Sequence, residues 1–125
     1  MKVLAIDPGT KNIGLAIGDN GVIETRPELK NLGQKTMQLI KEMVKNEEVK
    51  KVIVGISEGK SAQLSRKFAK ELRDILKLAV VLEDETLTTY QARVLKPKRK
   101  AVDSVAAALL LKQYWFFKKK GGWDV

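Results

Sequence analysis

Val3-Leu4-Ala5-Ile6-Asp7-Pro8-Gly9-Thr10-Lys11-Asn12-Ile13-Gly14-Leu15-Ala16-Ile17-Gly18-Asp19-Asn20-Gly21-Val22-Ile23-Glu24-Thr25-Arg26 decides how the chain folds. Val3 to Ile6 is apolar without a break, the pattern of a strand covered on both faces. Ile13, Leu15 and Ile17 alternate with Gly14, Ala16 and Gly18. That is the period of a strand, with one face reduced to very small side chains. Asp19-Asn20-Gly21 is a turn signal that joins it to Val22–Arg26 as a hairpin. The chain thus opens with three antiparallel strands.

Beyond this meander the period lengthens. Leu32, Leu39, Ile40, Met43 and Val44 predict an amphipathic helix over about 31–47. Val52–Ile56 reads as a buried strand. Leu64, Phe68, Leu72, Ile75 and Leu76 predict a second helix, and Ala79–Leu82 a further buried strand. Thr88 with Gln91 forms a capping box for a short helix ending near Leu95. The last helix, about 101–117, is apolar nearly all round at its start, so it is expected to be buried. The order βββ-α-β-α-β-α-α predicts an α/β fold. A mixed five-stranded sheet would combine the meander with parallel strands 3–6, 52–56 and 79–82, and carry helices on both faces. Ligands of such sheets bind at the C-terminal edge of the parallel strands.

Composition narrows the chemistry. The 125 residues suit one domain, here 1–117, followed by a basic tail at 118–125 that is expected to be flexible. There is no Cys and no His, which excludes disulfides, Cys/His zinc sites, Cys nucleophiles and His-based triads. The balance of 24 Lys and Arg against 15 Asp and Glu gives a net charge of +9, which favours a polyanionic partner. The longest uncharged apolar stretch, Val105–Leu111, is far below the ~20 residues that span a bilayer. No membrane association and a cytoplasmic location are expected.

Three acidic places stand out. Asp7 ends the first strand. Asp84 and Glu85 end the last strand. Asp103 lies in the first turn of the helix expected to be most buried. The helix dipole tolerates a carboxylate there, worth ~0.3–1 kcal/mol, but a buried charge still needs a cation, a donor or a metal. Two strand ends and a helix start can converge on one sheet edge. An all-oxygen cluster selects hard cations, Mg²⁺ or Mn²⁺, which activate water in phosphodiester cleavage.

The segments Asp7-Pro8-Gly9-Thr10-Lys11-Asn12-Ile13-Gly14-Leu15-Ala16, Asp84-Glu85-Thr86-Leu87-Thr88-Thr89-Tyr90-Gln91-Ala92 and Asp103-Ser104-Val105-Ala106-Ala107 occur in order. Together they resemble the YqgF family of pre-16S rRNA nucleases and Holliday junction resolvases, relatives of RuvC with a ribonuclease H-like fold. The likeness runs to about Trp115. It implies a divalent-metal-dependent nuclease whose acidic triad and metal ligands are Asp7, Glu85 and Asp103, with Mg²⁺ or Mn²⁺ as cofactor. The substrate would be RNA, by 5′-end processing of pre-16S rRNA, or branched DNA. Junction resolution would need two active sites and so a homodimer. A nucleic-acid-binding protein of the same fold with little or no cleavage is the alternative.

This chain departs from the family pattern at two places. Gly55-Ile56-Ser57-Glu58-Gly59-Lys60-Ser61-Ala62-Gln63 is shorter than the usual loop and lacks its Pro, and Thr86 stands where Arg is usual. The loss of Arg removes a bidentate phosphate clamp. Lys11, Lys60 and the run Lys96-Pro97-Lys98-Arg99-Lys100 are the expected nucleic-acid contacts, since phosphate binding needs only charge within reach. Gly59-Lys60-Ser61 mimics a P-loop, but only three residues separate it from Gly55 where four are needed. Asp7–Thr10 also resembles the first phosphate loop of actin-like ATPases, whose two lobes a chain of 125 residues cannot supply.

Overall fold

The computed structural model describes residues 1–56, 60–84 and 102–119, with side chains except at 60, 61, 84, 102–104 and 116–119. Five strands and three helices lie within these ranges: β1 (Lys2–Pro8), β2 (Asn12–Asp19), β3 (Val22–Lys30), α1 (Gln34–Asn46), β4 (Val49–Ile56), α2 (Lys60–Leu76), β5 (Ala79–Asp84) and α3 (Val102–Lys119). The short helix expected between Thr88 and Leu95 falls outside the described residues. The strands form one sheet in the order β3-β2-β1-β4-β5. β1, β2 and β3 pair antiparallel, while β1, β4 and β5 run parallel. The five-stranded mixed sheet, a meander plus parallel strands, is the one expected from the sequence; the strand order comes from the structure.

Local chemistry explains the meander. Asn20 and Gly21 both have positive φ, 52° and 84°, the backbone of the primed two-residue turns that match strand twist. β3 continues to Lys30, four residues beyond the Arg26 limit read from the sequence, and passes through Pro27. Ile13 pairs with Leu29 and Leu15 with Arg26, so two steps on β2 face three on β3. The extra residue makes a bulge, and β3 is an edge strand; a proline is accommodated at both kinds of place.

Two cores sit on the two sides of the sheet. Leu4, Ile6, Leu15 and Val54 pack with Met37 and Ile40 of α1 and Phe68 and Leu72 of α2. Val3, Ala5, Ala16 and Ile53 pack with Ala107, Leu110, Leu111 and Tyr114 of α3. Helices therefore cover both faces, as expected.

The expected stripe of α1 needs correction. Leu32 precedes the helix and is 60% exposed, and Leu39 is 48% exposed. The inward face is instead Thr36, Met37, Ile40 and Val44. Thr36 is drawn inward because its hydroxyl donates to the Lys30 carbonyl at 2.6 Å and accepts from the Leu32 amide at 2.8 Å. That fixes the rotation of α1 and turns Leu39 outward.

The small-residue face of β2 is the seat of α3. A Cβ on Gly18 would lie 2.6 Å from the Trp115 ring and 3.2 Å from Leu111. Only glycine lets the helix come this close. α3 extends through Lys119, two residues past the boundary expected between domain and tail.

Candidate functional site

Asp7 sits one residue from the C-terminal end of β1 and is 7% exposed. Partners across a sheet share a face, so its pairing with Gly14 places it on the α3 side with Val3 and Ala5. The next strand continues this row. Ile6 pairs with Val54, which brings Gly55 beside Asp7, and Gly55 pairs with Glu83. The row on this face is thus Gly14, Asp7, Gly55, Glu83. A buried carboxylate stands between two residues without side chains, at the edge where parallel strands present ligands.

α3 runs toward this edge. Leu111 and Trp115 lie over Gly18, which pairs with Val3 at the opposite edge. Ala106 and Ala107 are fully buried, so the helix must rise over the sheet rather than leave it. Asp103 is the second residue of α3.

A tight return follows Asp7. A Cβ on Gly9 would lie 2.5 Å from the Asn12 carbonyl oxygen, so residue 9 must be glycine for the chain to turn here. Asn31, at the end of β3, holds the return from outside. Its side-chain amide donates to the Gly9 carbonyl at 2.9 Å, and its backbone amide donates to the Lys11 carbonyl at 2.8 Å. Its side-chain oxygen accepts from the Gly33 amide at 3.3 Å. Lys11 lies exposed in this return, within a few residues of Asp7.

The other expected site residues divide as follows. Lys60 is the first residue of α2, which begins after β4 at the same sheet edge. Glu85, Lys96, Lys98, Arg99 and Lys100 lie outside the described residues, as does Thr86. Among the described residues no group of three or more acidic side chains could hold a metal. Only Asp7 of the expected triad contributes a described side chain. Its oxygen donors suit a hard divalent cation.

Two polar residues were not singled out in the sequence. Glu83 is buried in the Asp7 row and accepts a hydrogen bond at 3.0 Å from the Gln113 side chain of α3. The period of two places Glu83 on the same face as the buried Val81, a usable signal. Asn31 carried only the weaker mark of a turn residue near Gly33.

A mixed sheet in this order, with helices on both faces and an aspartate at the end of its central strand, is a ribonuclease H-like fold. RuvC from T. thermophilus, solved in complex with a Holliday junction substrate, superposes with a TM-score of 0.66 at 14% identity, over 97% of this chain and 96% of that one. Fowlpox virus resolvase, solved with Holliday junction DNA, gives 0.62 at 16% identity, over 91% and 96%. The family model described as "RuvX: Holliday junction resolvase" matches residues 1–116, and the chain belongs to that family. A protein of Bacillus thuringiensis (strain Al Hakam) named "Putative pre-16S rRNA nuclease" is 32% identical over 133 aligned positions, covering 91% of this chain and 97% of its own. A Bacillus anthracis (strain CDC 684 / NRRL 3495) protein of the same name matches equally.

Proposed function

We propose that this chain is a divalent-metal-dependent nuclease that hydrolyses phosphodiester bonds in structured nucleic acid. Family membership over residues 1–116 supports the nuclease class. The observation that carries the site is the row Gly14–Asp7–Gly55–Glu83 at the C-terminal edge of the parallel strands, where Gln113 of α3 bonds Glu83. The two glycines that flank Asp7 in this row bring no side chains of their own to it.

Asp7, Glu85 and Asp103 are the proposed ligands of Mg²⁺ or Mn²⁺. When bound, such an ion supplies a water of lowered pKa and charge stabilisation at the leaving oxygen. The chain's own part is to hold the carboxylates in place. β1 fixes Asp7 by pairing on both sides, Gly9 and Asn31 set the return after it, and Asp103 would come from the first turn of α3. With no His or Cys, any general base the protein supplies must be a carboxylate, a lysine or a tyrosine. Lys11, Lys60, Lys96, Lys98, Arg99 and Lys100 would bind the phosphate backbone around this acidic centre.

The proposed substrates are the 5′ end of pre-16S rRNA and the four-way DNA junction, acting in the cytoplasm. The first rests on the names of the 32%-identical relatives and the second on the description of the family. For the junction, two chains would cut as a homodimer. The alternative of a binder with little cleavage is not favoured, because its relatives carry nuclease names. A parallel assay on a pre-rRNA fragment and a four-way junction, with Mg²⁺, Mn²⁺ or EDTA and with oligomer size measured, tests the proposal. Metal-dependent cleavage of either substrate is expected, and its absence on both contradicts the reading.

A further inference from the structure

α2 carries a line of positive charge that the proposed site does not use. Arg66, Lys70 and Arg73 follow one another at four and three residues, so they fall on one side of the helix, and all are exposed. Lys77 closes the line just past the helix. It is held there in left-handed backbone, φ 55°, by its amide donating to the Arg73 carbonyl at 3.0 Å. The inward side of the same helix is Ser65, Phe68, Ala69 and Leu72.

Among the described residues, none of these four cations makes an ion pair. The ion pairs formed among the described residues are Met1 with Asp19 and Arg26 with Glu24 and Glu47. Glu71 and Asp74 lie on the same helix and pair with none of the four. Like charges at these spacings repel, which works against the helix. The helix dipole favours Arg73 and Lys77 at the C-terminus, yet does nothing for Arg66 and Lys70 in the middle. α1 carries Lys35, Lys41 and Lys45 with Glu42 among them, and Glu47 and Glu48 follow its end. Folding alone gives no reason for the line on α2.

Its placement gives one. α2 starts at the sheet edge that carries Asp7 and runs back to the opposite edge, where β5 begins at Ala79. The line from Arg66 to Lys77 extends ~16 Å, which matches the axial rise of about five base pairs. It lies on the face opposite α3, so a strand engaged at Asp7 from the α3 side does not reach it. A second limb of a branched or folded nucleic acid, turning over the edge, does.

We infer that Arg66, Lys70, Arg73 and Lys77 form a second phosphate-backbone contact, which holds a duplex limb of the nucleic-acid substrate beyond the segment at Asp7. This rests on the nuclease reading above. The test uses the full chain carrying Asp7→Asn, so that nothing is cut. Binding to a four-way DNA junction with ~20-base-pair arms is measured by fluorescence anisotropy between about 50 and 300 mM salt. Each phosphate contact contributes ~0.9 to the slope of log affinity against log salt.

Adding Arg66→Gln, Lys70→Gln, Arg73→Gln and Lys77→Gln together should lower that slope by about 2–4 and weaken binding roughly tenfold or more near 100 mM salt. The control, Lys35→Gln, Lys41→Gln, Lys45→Gln and Lys50→Gln, removes the same charge from α1 and the start of β4 and should change the slope by less than about 1. All eight positions are exposed, and circular dichroism verifies that both variants fold. Equal slopes for parent and α2 variant, or equal losses in the α2 and control variants, overturn the inference and leave the nuclease reading intact. Failure of the Asp7→Asn chain to bind the junction or a pre-rRNA stem-loop at any salt overturns both.

Discussion

Gly18 lies directly beneath the Trp115 ring, so close that a methyl group on residue 18 would stand 2.6 Å from it. This contact sets how low α3 can sit on β2. Gly18→Val should therefore lift the helix as well as strain the core. A loss of about 1–3 kcal/mol is expected, the usual cost of overpacking. Thermal unfolding should show a midpoint several degrees lower. Pairing Gly18→Ala with Trp115→Leu should recover part of the loss relative to Gly18→Ala alone. A double variant no more stable than the single would show that the ring is not the obstacle.

Asn31 and Gly9 give the second prediction. Asn31→Ala removes the bond from its side-chain amide to the Gly9 carbonyl, 2.9 Å long and half-buried. About 1 kcal/mol of stability should go with it. Because the return holds the chain just after Asp7, cleavage should fall by roughly ten- to a hundredfold, the scale of a small misplacement at a reacting centre. The loss should appear in kcat with KM little changed. A KM increase alone would mean that Asn31 serves binding and not the position of the return.

Lys51 is buried beneath α3, and its ammonium donates to the Tyr114 hydroxyl while lying 5.0 Å from the ring centroid. Tyr114→Phe keeps the ring and deletes the acceptor. About 1–3 kcal/mol should be lost, since a charged donor is involved. The double variant Lys51→Met with Tyr114→Phe should be close to the parent, because an apolar pair replaces a buried charge. Equilibrium urea unfolding of the three variants completes the cycle. A stable Tyr114→Phe protein would show that the hydroxyl is not what holds Lys51.

Much of this was legible in the sequence, and the reasons are physical. The Gly-Ala-Gly alternation at 14, 16 and 18 announced a sheet face that something large must cover, and Trp115 and Leu111 cover it. The positive-φ pair Asn20-Gly21 announced the hairpin. Asp7 was legible because a carboxylate at the end of an apolar strand breaks the pattern. β3 beyond Arg26 was not, because Pro27 reads as a strand end unless the bulge is known. The rotation of α1 was missed because the two side-chain hydrogen bonds of Thr36 outweigh the hydropathy of Leu39. Glu83 was hidden by the acidic run around it, which reads as a solvated strand end until Gln113 is seen above it.

Removal of metal should abolish cleavage and spare binding. Excess EDTA is expected to reduce hydrolysis of a junction or pre-rRNA fragment to background, and Mg²⁺ or Mn²⁺ to restore it. Ca²⁺ should restore it poorly, because its looser and longer coordination positions water less strictly. Full activity in EDTA would remove the metal from the proposal.

The central claim is that the Asp7 carboxylate makes this edge a cleavage site. The direct measurement compares the parent chain with Asp7→Asn, on the better of the two substrates, in Mg²⁺ or Mn²⁺, with affinity measured alongside. Asparagine keeps the shape and removes the charge. The prediction is that cleavage falls by at least about a thousandfold, the scale of losing electrostatic stabilisation at the reacting centre, with affinity unchanged or tighter. Cleavage by Asp7→Asn at the parent rate would contradict it.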